Sequence, residues 1–242
     1  MKGRRSTHLA RYSTGLFLAL FLLTPLREAA GQRLTRTQQI VRPPELNVQF
    51  HRAETAWKSG NSLLEAKVRI DRVLLELPDD LEARKLRAGI LMTMGHDDRA
   101  YADARKAVEL GPEDGEAHLL LCESASNIGE NIIGETALLR SADLLLDGHD
   151  LHIRLSQCAV SLDRLIEAQA YARIALATDA LDSEAYLQLA RVFASDEYDE
   201  NAITILERGL SSGVVKPSQI ISEPVYERLL IDPRLQVFLG NQ

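Results

Sequence analysis

The sequence predicts an all-α protein, a solenoid of about five stacked helix-turn-helix units followed by a pair of capping helices. One observation is a ladder of small residues 34 positions apart, formed by Ala66, Ala100, Gly134, Ala168 and Ala202. A fixed period of roughly 20–50 residues is typical of repeat proteins built from one supersecondary unit. The other observation is composition, since 45% of the 242 residues are apolar but only 5% are aromatic. This composition favours helices packed through aliphatic side chains over a β-sandwich.

Five repeats follow one another without an insertion. Each contains two amphipathic halves, in which apolar residues recur at three- and four-residue spacing. In the first repeat Phe50, Ala53 and Trp57 share one apolar face, Gly60 interrupts the pattern, and Pro78 closes the unit. The predicted repeats comprise residues 47–80, 81–114, 115–148, 149–182 and 183–214.

These repeats resemble the tetratricopeptide repeat (TPR) family. The resemblance rests on the 34-residue length, the Trp, Leu or Phe before the first break, the ladder of small residues, and the closing prolines Pro78 and Pro112. It covers residues 47–214 and departs from the family pattern at Glu54 and Ser156, where a glycine or alanine is expected. The resemblance implies a right-handed superhelical solenoid, in which the first helix of each repeat lines a concave groove.

Residues 215–242 are predicted to form C-terminal capping helices. Ser222-Glu223-Pro224 is typical of a helix start, and so is Asp232-Pro233, which combines an N-cap acid with a proline in the first turn. Because the last repeat of a stacked array exposes an apolar face, a cap over that face is expected.

Residues 1–31 have the pattern of a secretory signal peptide. Residues 1–15 are basic, residues 16–23 form an unbroken apolar run, and Ala29 and Gly31 are small residues before a cleavage point. The run has fewer than half of the roughly 20 apolar residues that a membrane-spanning helix needs. A transit peptide would be amphipathic, and an uncleaved signal anchor would need a longer apolar core. The chain is therefore expected to be exported, to the periplasm or cell envelope, without a stable membrane span in its mature form.

Residues 32–46 are predicted to be a flexible linker. This stretch has few apolar residues, and the pair Pro43-Pro44 disfavours helix and favours an extended chain.

The charge of the chain argues against nucleic acid as a partner. The formal net charge is −7, and residues 1–31 contain five basic residues and one acid, so that 23 basic and 34 acidic residues remain without them. A surface of this sign repels phosphate groups. Nucleic acid and anionic lipid are thus disfavoured as main partners.

No catalytic motif, cofactor fingerprint or metal motif is present in the sequence. His149 and His152, with Asp147 and Asp150 beside them, have the spacing of a metal pair. A turn between two repeats explains these residues more simply, because the sequence offers no third ligand. We therefore expect a protein that is not an enzyme and that binds neither a cofactor nor a metal.

Cys122 and Cys158 are the two cysteines of the chain and lie on the first halves of neighbouring repeats. Export to an oxidising compartment favours a disulfide between them. Against a disulfide, the two positions differ by two residues in register, and unpaired cysteines are often buried as small apolar residues. The sequence leaves both possibilities open.

The family resemblance also implies which residues face the groove. As a set, the groove positions are basic at the N-terminal end and mixed acidic and aliphatic afterwards, and they include Glu82, Glu116, Asp150 and Glu184. The groove residues expected to contact a partner are His51, Thr55, Lys58, Lys85, Met92, Leu119, Glu123, Asn127, Ile153, Gln157, Val160, Leu187 and Arg191.

Within that set, Leu119, Ile153, Val160 and Leu187 are expected to form an apolar strip suited to an extended or helical peptide. The predicted function is a non-catalytic exported scaffold that binds a protein or peptide in its groove, in envelope assembly or secretion. The alternative is a structural module that self-associates through its ends or its convex face. The sequence leaves the oligomeric state open.

Overall fold

A computed structural model describes residues 40–60, 62–144 and 148–240. The signal peptide and most of the linker predicted from the sequence lie outside these residues. The chain divides into two compact units after Val41, and the fold below is that of the unit that begins at Arg42. In the ranges that the structure describes, this unit consists of helices and turns without a strand.

Up to Ser211, the described residues form ten helices in five consecutive pairs, and the two helices of each pair pack against each other. The second helices begin 34 residues apart, as the repeat length predicts. The pairs are α1 Pro44–Lys58 with α2 Leu63–Glu76, α3 Leu81–Thr93 with α4 Asp97–Leu110, α5 Gly115–Asn127 with α6 Asn131–Leu144, α7 His149–Ser161 with α8 Leu165–Thr178, and α9 Ser183–Ser195 with α10 Asp199–Ser211.

The small-residue ladder is buried throughout. Its four alanines are 0% exposed, and Gly134 is buried in α6. A Cβ atom on Gly134 would lie 3.0 Å from a methyl group of Leu162, which follows α7, and 3.7 Å from the backbone oxygen of Cys122 in α5. The ladder position therefore faces the first helix of its own repeat and the next repeat at once, which is why a long side chain does not fit there.

The helix ends follow from a few residues that recur with the repeat. Asp80, Asp114 and Asp182 are the N-caps of α3, α5 and α9, and each carboxylate accepts a hydrogen bond from a backbone N–H of the first turn. Helix α1 begins at Pro44, three residues before the predicted repeat and inside the predicted linker, because the first position of a helix needs no N–H donor.

The helices form two layers. The first helices of neighbouring repeats pack directly on one another, α1 on α3, α3 on α5, α5 on α7 and α7 on α9. Each second helix also packs against the first helix of the following repeat. We call the stacked first helices the inner layer, their solvent-facing side the inner face, and the second helices the outer layer.

The apolar core of the described residues has two parts. A small cluster in the first two repeats is centred on Ile70, Val73 and Ile90. A larger cluster runs from Ala88 through the remaining repeats to Leu235 in the C-terminal cap. The two parts of the core differ in size and, as described below, in the polar groups that accompany them.

The C-terminal cap comprises short elements between residues 217 and 239, namely α11 Pro217–Ile221, a 3-10 helix Pro224–Leu229 and α12 Pro233–Leu239. Tyr226 is 0% exposed, and its hydroxyl donates a 2.6 Å hydrogen bond to the backbone oxygen of Leu187 in α9. Burial raises the pKa of the Tyr226 phenol, so the hydroxyl remains a donor. The predicted helix starts at Pro224 and Pro233 are present, whereas α11 was not predicted from the sequence.

Cys122 in α5 and Cys158 in α7 form a disulfide, with their Cα atoms 6.4 Å apart. This answers the question that the sequence left open. The two inner helices are adjacent, so the two-residue offset in register does not prevent the pairing.

Candidate functional site

The thirteen groove residues predicted from the sequence all lie on the first helices, but their accessibility differs widely. Lys85, Leu119, Ile153 and Leu187 are buried. Met92, Glu123, Val160 and Arg191 are half-buried, and the remaining residues, His51, Thr55, Lys58, Asn127 and Gln157, are exposed or nearly so.

The apolar strip expected from the sequence is not open to a ligand. Leu119 is 0% exposed, Leu187 2% and Ile153 6%. Each of their helices packs against other inner helices, and these three side chains belong to the large core cluster. They stabilise the stacking of the repeats, and the surface available to a partner is formed by other residues.

A cavity of about 200 Å³ opens on the inner face at the first three repeats. Its apolar lining comes from α1, α3 and α5, and charged side chains that include Arg154 of α7 surround it. The apolar residues are Phe50, Trp57, Leu86 and Leu120, and the charged ones are Glu54, Lys58, Glu82, Lys85, Glu116 and Arg154.

The indole of Trp57 occupies its place in this cavity because residue 89 has no side chain. A Cβ atom on Gly89 would lie 2.6 Å from Cη2 of the indole, which is too close for any other residue without a shift. The indole Nε1 donates a 3.0 Å hydrogen bond to Oγ1 of Thr93, one turn further along α3. Gly89 and Thr93 of the second repeat thus orient the indole of Trp57, which belongs to the first repeat.

Lys85 is the most buried of the cations that line the cavity, at 8% exposure. Its Nζ donates to Asp114 at 2.9 Å and to Glu116 at 3.0 Å, and Glu82 lies 3.0 Å away. Burial alone would lower the pKa of this ammonium group, but Glu116 and Asp114 raise it above its ordinary value. Lys85 therefore keeps its proton, and its charge is paired with the largely buried carboxylate of Asp114, the N-cap of α5.

Two further cations of the inner face are paired in the same way. Arg154 donates two hydrogen bonds of 2.7–2.8 Å to the carboxylate of Glu123. Arg191 binds the carboxylate of Glu223, at the N-cap of the 3-10 helix, at 2.8–3.0 Å. In both pairs the carboxylate is mostly shielded from solvent, with 20% and 25% side-chain exposure. These cations hold elements together and offer little free positive charge to a partner.

Four acids 34 residues apart remain accessible along the inner face. The side chains of Glu82, Glu116 and Glu184 are 52%, 45% and 44% exposed, and Asp150 is exposed as well. We call these four residues the acidic ladder. They stand in the first turns of α3, α5, α7 and α9, where a carboxylate also stabilises the helix dipole. Their common spacing was visible in the sequence, but their exposure and the neutralisation of the cations beside them were not.

The described part of the chain contains neither a cluster of metal-ligating side chains nor a helix that could span a membrane. No group of three or more His, Cys, Asp or Glu side chains there has the arrangement of a metal site. The ring Nδ1 of His152, in the first turn of α7, lies 2.8 Å from the backbone oxygen of Gly148, the N-cap of that helix. None of the helices within residues 40–60, 62–144 and 148–240 combines the length and apolar character that a membrane crossing requires.

Comparison with protein-family models gives no match, and neither does comparison with curated proteins. Similar folds are found among solved structures. A thermophilic TPR protein of Thermus thermophilus, TTC0263, is 18% identical with a TM-score of 0.60, over 69% of this chain and 90% of that one. PilW, a type IV pilus biogenesis factor, is 16% identical with a TM-score of 0.62, over 82% of this chain and 100% of its own. MamA of Desulfovibrio magneticus is 12% identical with a TM-score of 0.55, over 71% and 96% respectively.

These identities are low, so the likeness concerns the fold. The consecutive helix pairs pack as in those proteins, and the chain has the fold of a TPR solenoid. The resemblance inferred from the 34-residue period is thereby confirmed.

Proposed function

We propose that this chain is a non-catalytic scaffold that binds a protein or peptide segment along its inner face. The observation that carries the proposal is the cavity lined by Phe50, Trp57, Leu86 and Leu120, which opens onto that face. A concave, mainly apolar site with a few polar groups at its rim is the usual form of a binding site. The exposed groove residues from His51 to Gln157 extend the surface beyond the cavity.

The charged groups around the cavity suit binding better than catalysis. A general base needs a pKa near the working pH. Lys85 has the opposite property, because Glu116 and Asp114 raise its pKa against the effect of burial. Burial likewise opposes the charge of Arg154, whose pKa is raised by Glu123. Both cations are therefore permanently charged and held in ion pairs.

Export is the second part of the proposal, and two observations support it. Residues 1–31 have the order of basic, apolar and small residues that secretion signals share. The disulfide between Cys122 and Cys158 is of a kind that persists in oxidising compartments and is rare in the cytosol. PilW is a type IV pilus biogenesis factor. By analogy of fold alone, we place this chain in cell-envelope assembly or secretion.

Photo-crosslinking tests whether the inner face is the binding surface. A photoreactive residue replaces Gln157, which is exposed on the inner layer, or Arg105, which is exposed on the outer layer as the control. We expect discrete adducts in the native envelope from position 157 and none from position 105. Adducts from position 105 alone would contradict binding at the inner face. N-terminal sequencing of the native protein tests export, with Gln32 as the expected first residue.

Self-association is the alternative, and one observation favours it. Ile132 and Ile166 are 84% and 85% exposed at equivalent positions of α6 and α8, and Leu64 in α2 is 67% exposed at the same position. Light scattering of the mature chain over a range of concentrations tests this. The double variant Ile132→Ser/Ile166→Ser should lower the apparent mass if these side chains join two copies. A mass that stays monomeric at all concentrations rules the alternative out.

A further inference from the structure

We infer that the segment bound by the inner face is an extended, polyproline II-like peptide that carries a basic side chain at every third residue beside one apolar anchor. This inference rests on the proposed function, since it names the class of partner for the same face. Three features carry it: the cavity, the sign of the accessible charge and the spacing of the inner helices.

The cavity determines the anchor. Its volume of about 200 Å³ holds several water molecules, each of which takes about 30 Å³ in the liquid. An apolar side chain that enters between Trp57 and Leu120 releases this water and buries apolar surface on both partners. Gly89 and Thr93 hold the indole in place, so the site exists before a ligand arrives.

The accessible charge determines the sign of the residues beside the anchor. Lys85, Arg154 and Arg191 each bind a shielded carboxylate, namely Asp114, Glu123 and Glu223. Lys58 at the cavity pairs with Glu54. The ladder acids lie beside the same cations, since Glu82 and Glu116 are each 3.0 Å from Lys85 and Glu184 is 3.5 Å from Arg191. These three cations thus face seven carboxylates, the three shielded ones and the four of the acidic ladder, which leaves four negative charges in excess. A basic segment neutralises them, and an acidic segment is repelled.

The stacking of the inner helices determines the spacing. Helices in contact lie about 8–10 Å apart, and α3, α5, α7 and α9 each bring one acid of the ladder to the inner face. A polyproline II helix has three residues per turn and rises about 3.1 Å per residue. Every third side chain then points the same way, about 9 Å from the last, which matches one acid per repeat.

The position of the cavity adds a direction to this arrangement. Glu82 and Glu116 belong to the cavity rim, and Asp150 and Glu184 lie on the next two inner helices. The apolar anchor should therefore occupy one end of the bound segment, with the basic residues following it towards the C-terminal repeats. A peptide with its basic residues side by side places only one or two of them against the ladder.

The test uses defined peptides and the mature chain. The probe is a synthetic peptide with one leucine followed by four Lys-Pro-Pro units. Three comparison peptides are used. The first has the composition of the probe but contiguous lysines, the second has glutamate in place of each lysine, and the third has glycine in place of the leucine. Because Trp57 is the sole tryptophan of the chain and lines the cavity, its fluorescence reports anchor binding directly.

We expect the probe to bind with a change in Trp57 fluorescence and to weaken as salt is added. The variant Glu82→Gln/Glu116→Gln/Asp150→Asn/Glu184→Gln should bind it roughly 10- to 30-fold more weakly, since each exposed pair contributes modestly. The control variant loses as many acids from exposed positions outside the inner layer. It carries Glu76→Gln, Asp98→Asn, Glu109→Gln and Glu130→Gln, and it should bind within about twofold of the parent.

The inference is overturned if the contiguous-lysine peptide binds as well as the probe, or if both acid-depleted variants weaken binding equally. It is also overturned if the probe does not bind at all. In that case, adducts from position 157 in the envelope would preserve binding at the inner face and reject only this class of partner. Adducts from position 105 alone would reject both.

Discussion

The first two repeats and the last three are joined by different kinds of polar contact. In the first two, Asp103 of α4 is 3% exposed and accepts hydrogen bonds of 2.6–2.7 Å from Arg84 and Arg87 of α3. Arg87 also donates to Asp71 of the preceding repeat at 3.0 Å. In the last three, the fully buried side chains make neutral or covalent contacts, and the ion pair of Arg154 with Glu123 lies at the inner face. Ser156 donates to the backbone oxygen of Ala168 and accepts from Gln188, and the disulfide joins α5 and α7.

Repeats of the same 34-residue length thus tolerate two kinds of polar contact at their junctions. The stability of a repeat array is roughly a sum of repeat terms and nearest-neighbour interface terms. A fully buried carboxylate, Asp103, accompanies the smaller apolar cluster, and the buried neutral side chains Ser156 and Gln188 accompany the larger one. We call the contact between the first and second repeats the N-terminal junction. A change of pH or loss of a charged side chain should therefore affect the N-terminal junction first, whereas reduction of the disulfide should affect the third and fourth repeats.

The largest effect is expected from the disulfide, which closes a separation of 36 residues. By loop entropy alone, the double variant Cys122→Ser/Cys158→Ser should lose about 4 kcal/mol of unfolding free energy. Urea denaturation followed by circular dichroism measures this. Protection from hydrogen exchange should fall first in α5 to α8 and least in α1 and α2. A uniform loss along the chain would contradict a local role for the disulfide.

The second effect concerns the buried carboxylate of the N-terminal junction. Asp103→Ala leaves the guanidinium groups of Arg84 and Arg87 without their main partner and should cost about 3 kcal/mol. Hydrogen exchange should show the loss in α2 to α4. The matched control is Asp98→Ala, an exposed acid of the same helix, which should change stability by less than about 0.5 kcal/mol. Equal effects of the two variants would exclude a special role for Asp103.

The third effect reverses sign between the two regions. The turn between the helices of a repeat has a positive φ at equivalent positions, 72° at Gly95, 79° at Gly129, and 58° at both Asp163 and Glu197. A non-glycine residue there is strained. Asp163→Gly and Glu197→Gly should each stabilise the protein by about 0.5–1 kcal/mol, whereas Gly95→Ala in the second repeat should destabilise it by a similar amount. Thermal unfolding of the three variants tests the difference.

The fourth effect is a pH dependence confined to the N-terminal junction. Burial opposes the charge of Asp71, but hydrogen bonds from Lys67 and Arg87 lower its pKa below the ordinary value. Its contribution to stability is thus present above about pH 4 and is lost as the pH falls through the lowered pKa. Acids with lowered pKa in the C-terminal half, Glu167 and Asp232, have their main partners within three residues along the chain.

Trp57 fluorescence measures this fourth effect, because the indole spans the first two repeats. Below about pH 4 its signal should change before the far-ultraviolet circular dichroism does. In Asp71→Asn the early change should be absent. A coincident change of both signals in the parent chain would show that the N-terminal junction is no weaker in acid than the rest.

The sequence predicted the features that repeat. The spacing of the small residues indicated the helix pairs, because a residue buried between two repeats must be small in every repeat. Asp232 was predicted as an N-cap because capping depends on a few neighbouring residues, and it accepts a hydrogen bond from the N–H of Arg234. Helix α11 was not predicted because it is only five residues long and begins at a proline, Pro217.

The candidate site was predicted less well, for a physical reason. Family positions transferred by register carry no information on neighbours, so Leu119 and Leu187 were assigned to the groove although the adjacent helices bury them. The cavity depends on Trp57 meeting Gly89 from the next repeat, which is a long-range contact. The same holds for the pairing of Lys85 with Asp114, which decides the charge that a ligand meets.

The bond between Cys122 and Cys158 also has a mechanical consequence. A stacked array bends through small rotations at the junctions between neighbouring repeats. The covalent clamp between α5 and α7 removes one junction from that set, so the third and fourth repeats turn as a single stiff segment. Compliance is then concentrated at the other junctions, including the one that holds Trp57 over Gly89. Reduction of this one bond would restore rotation between the third and fourth repeats and so spread bending over all the junctions.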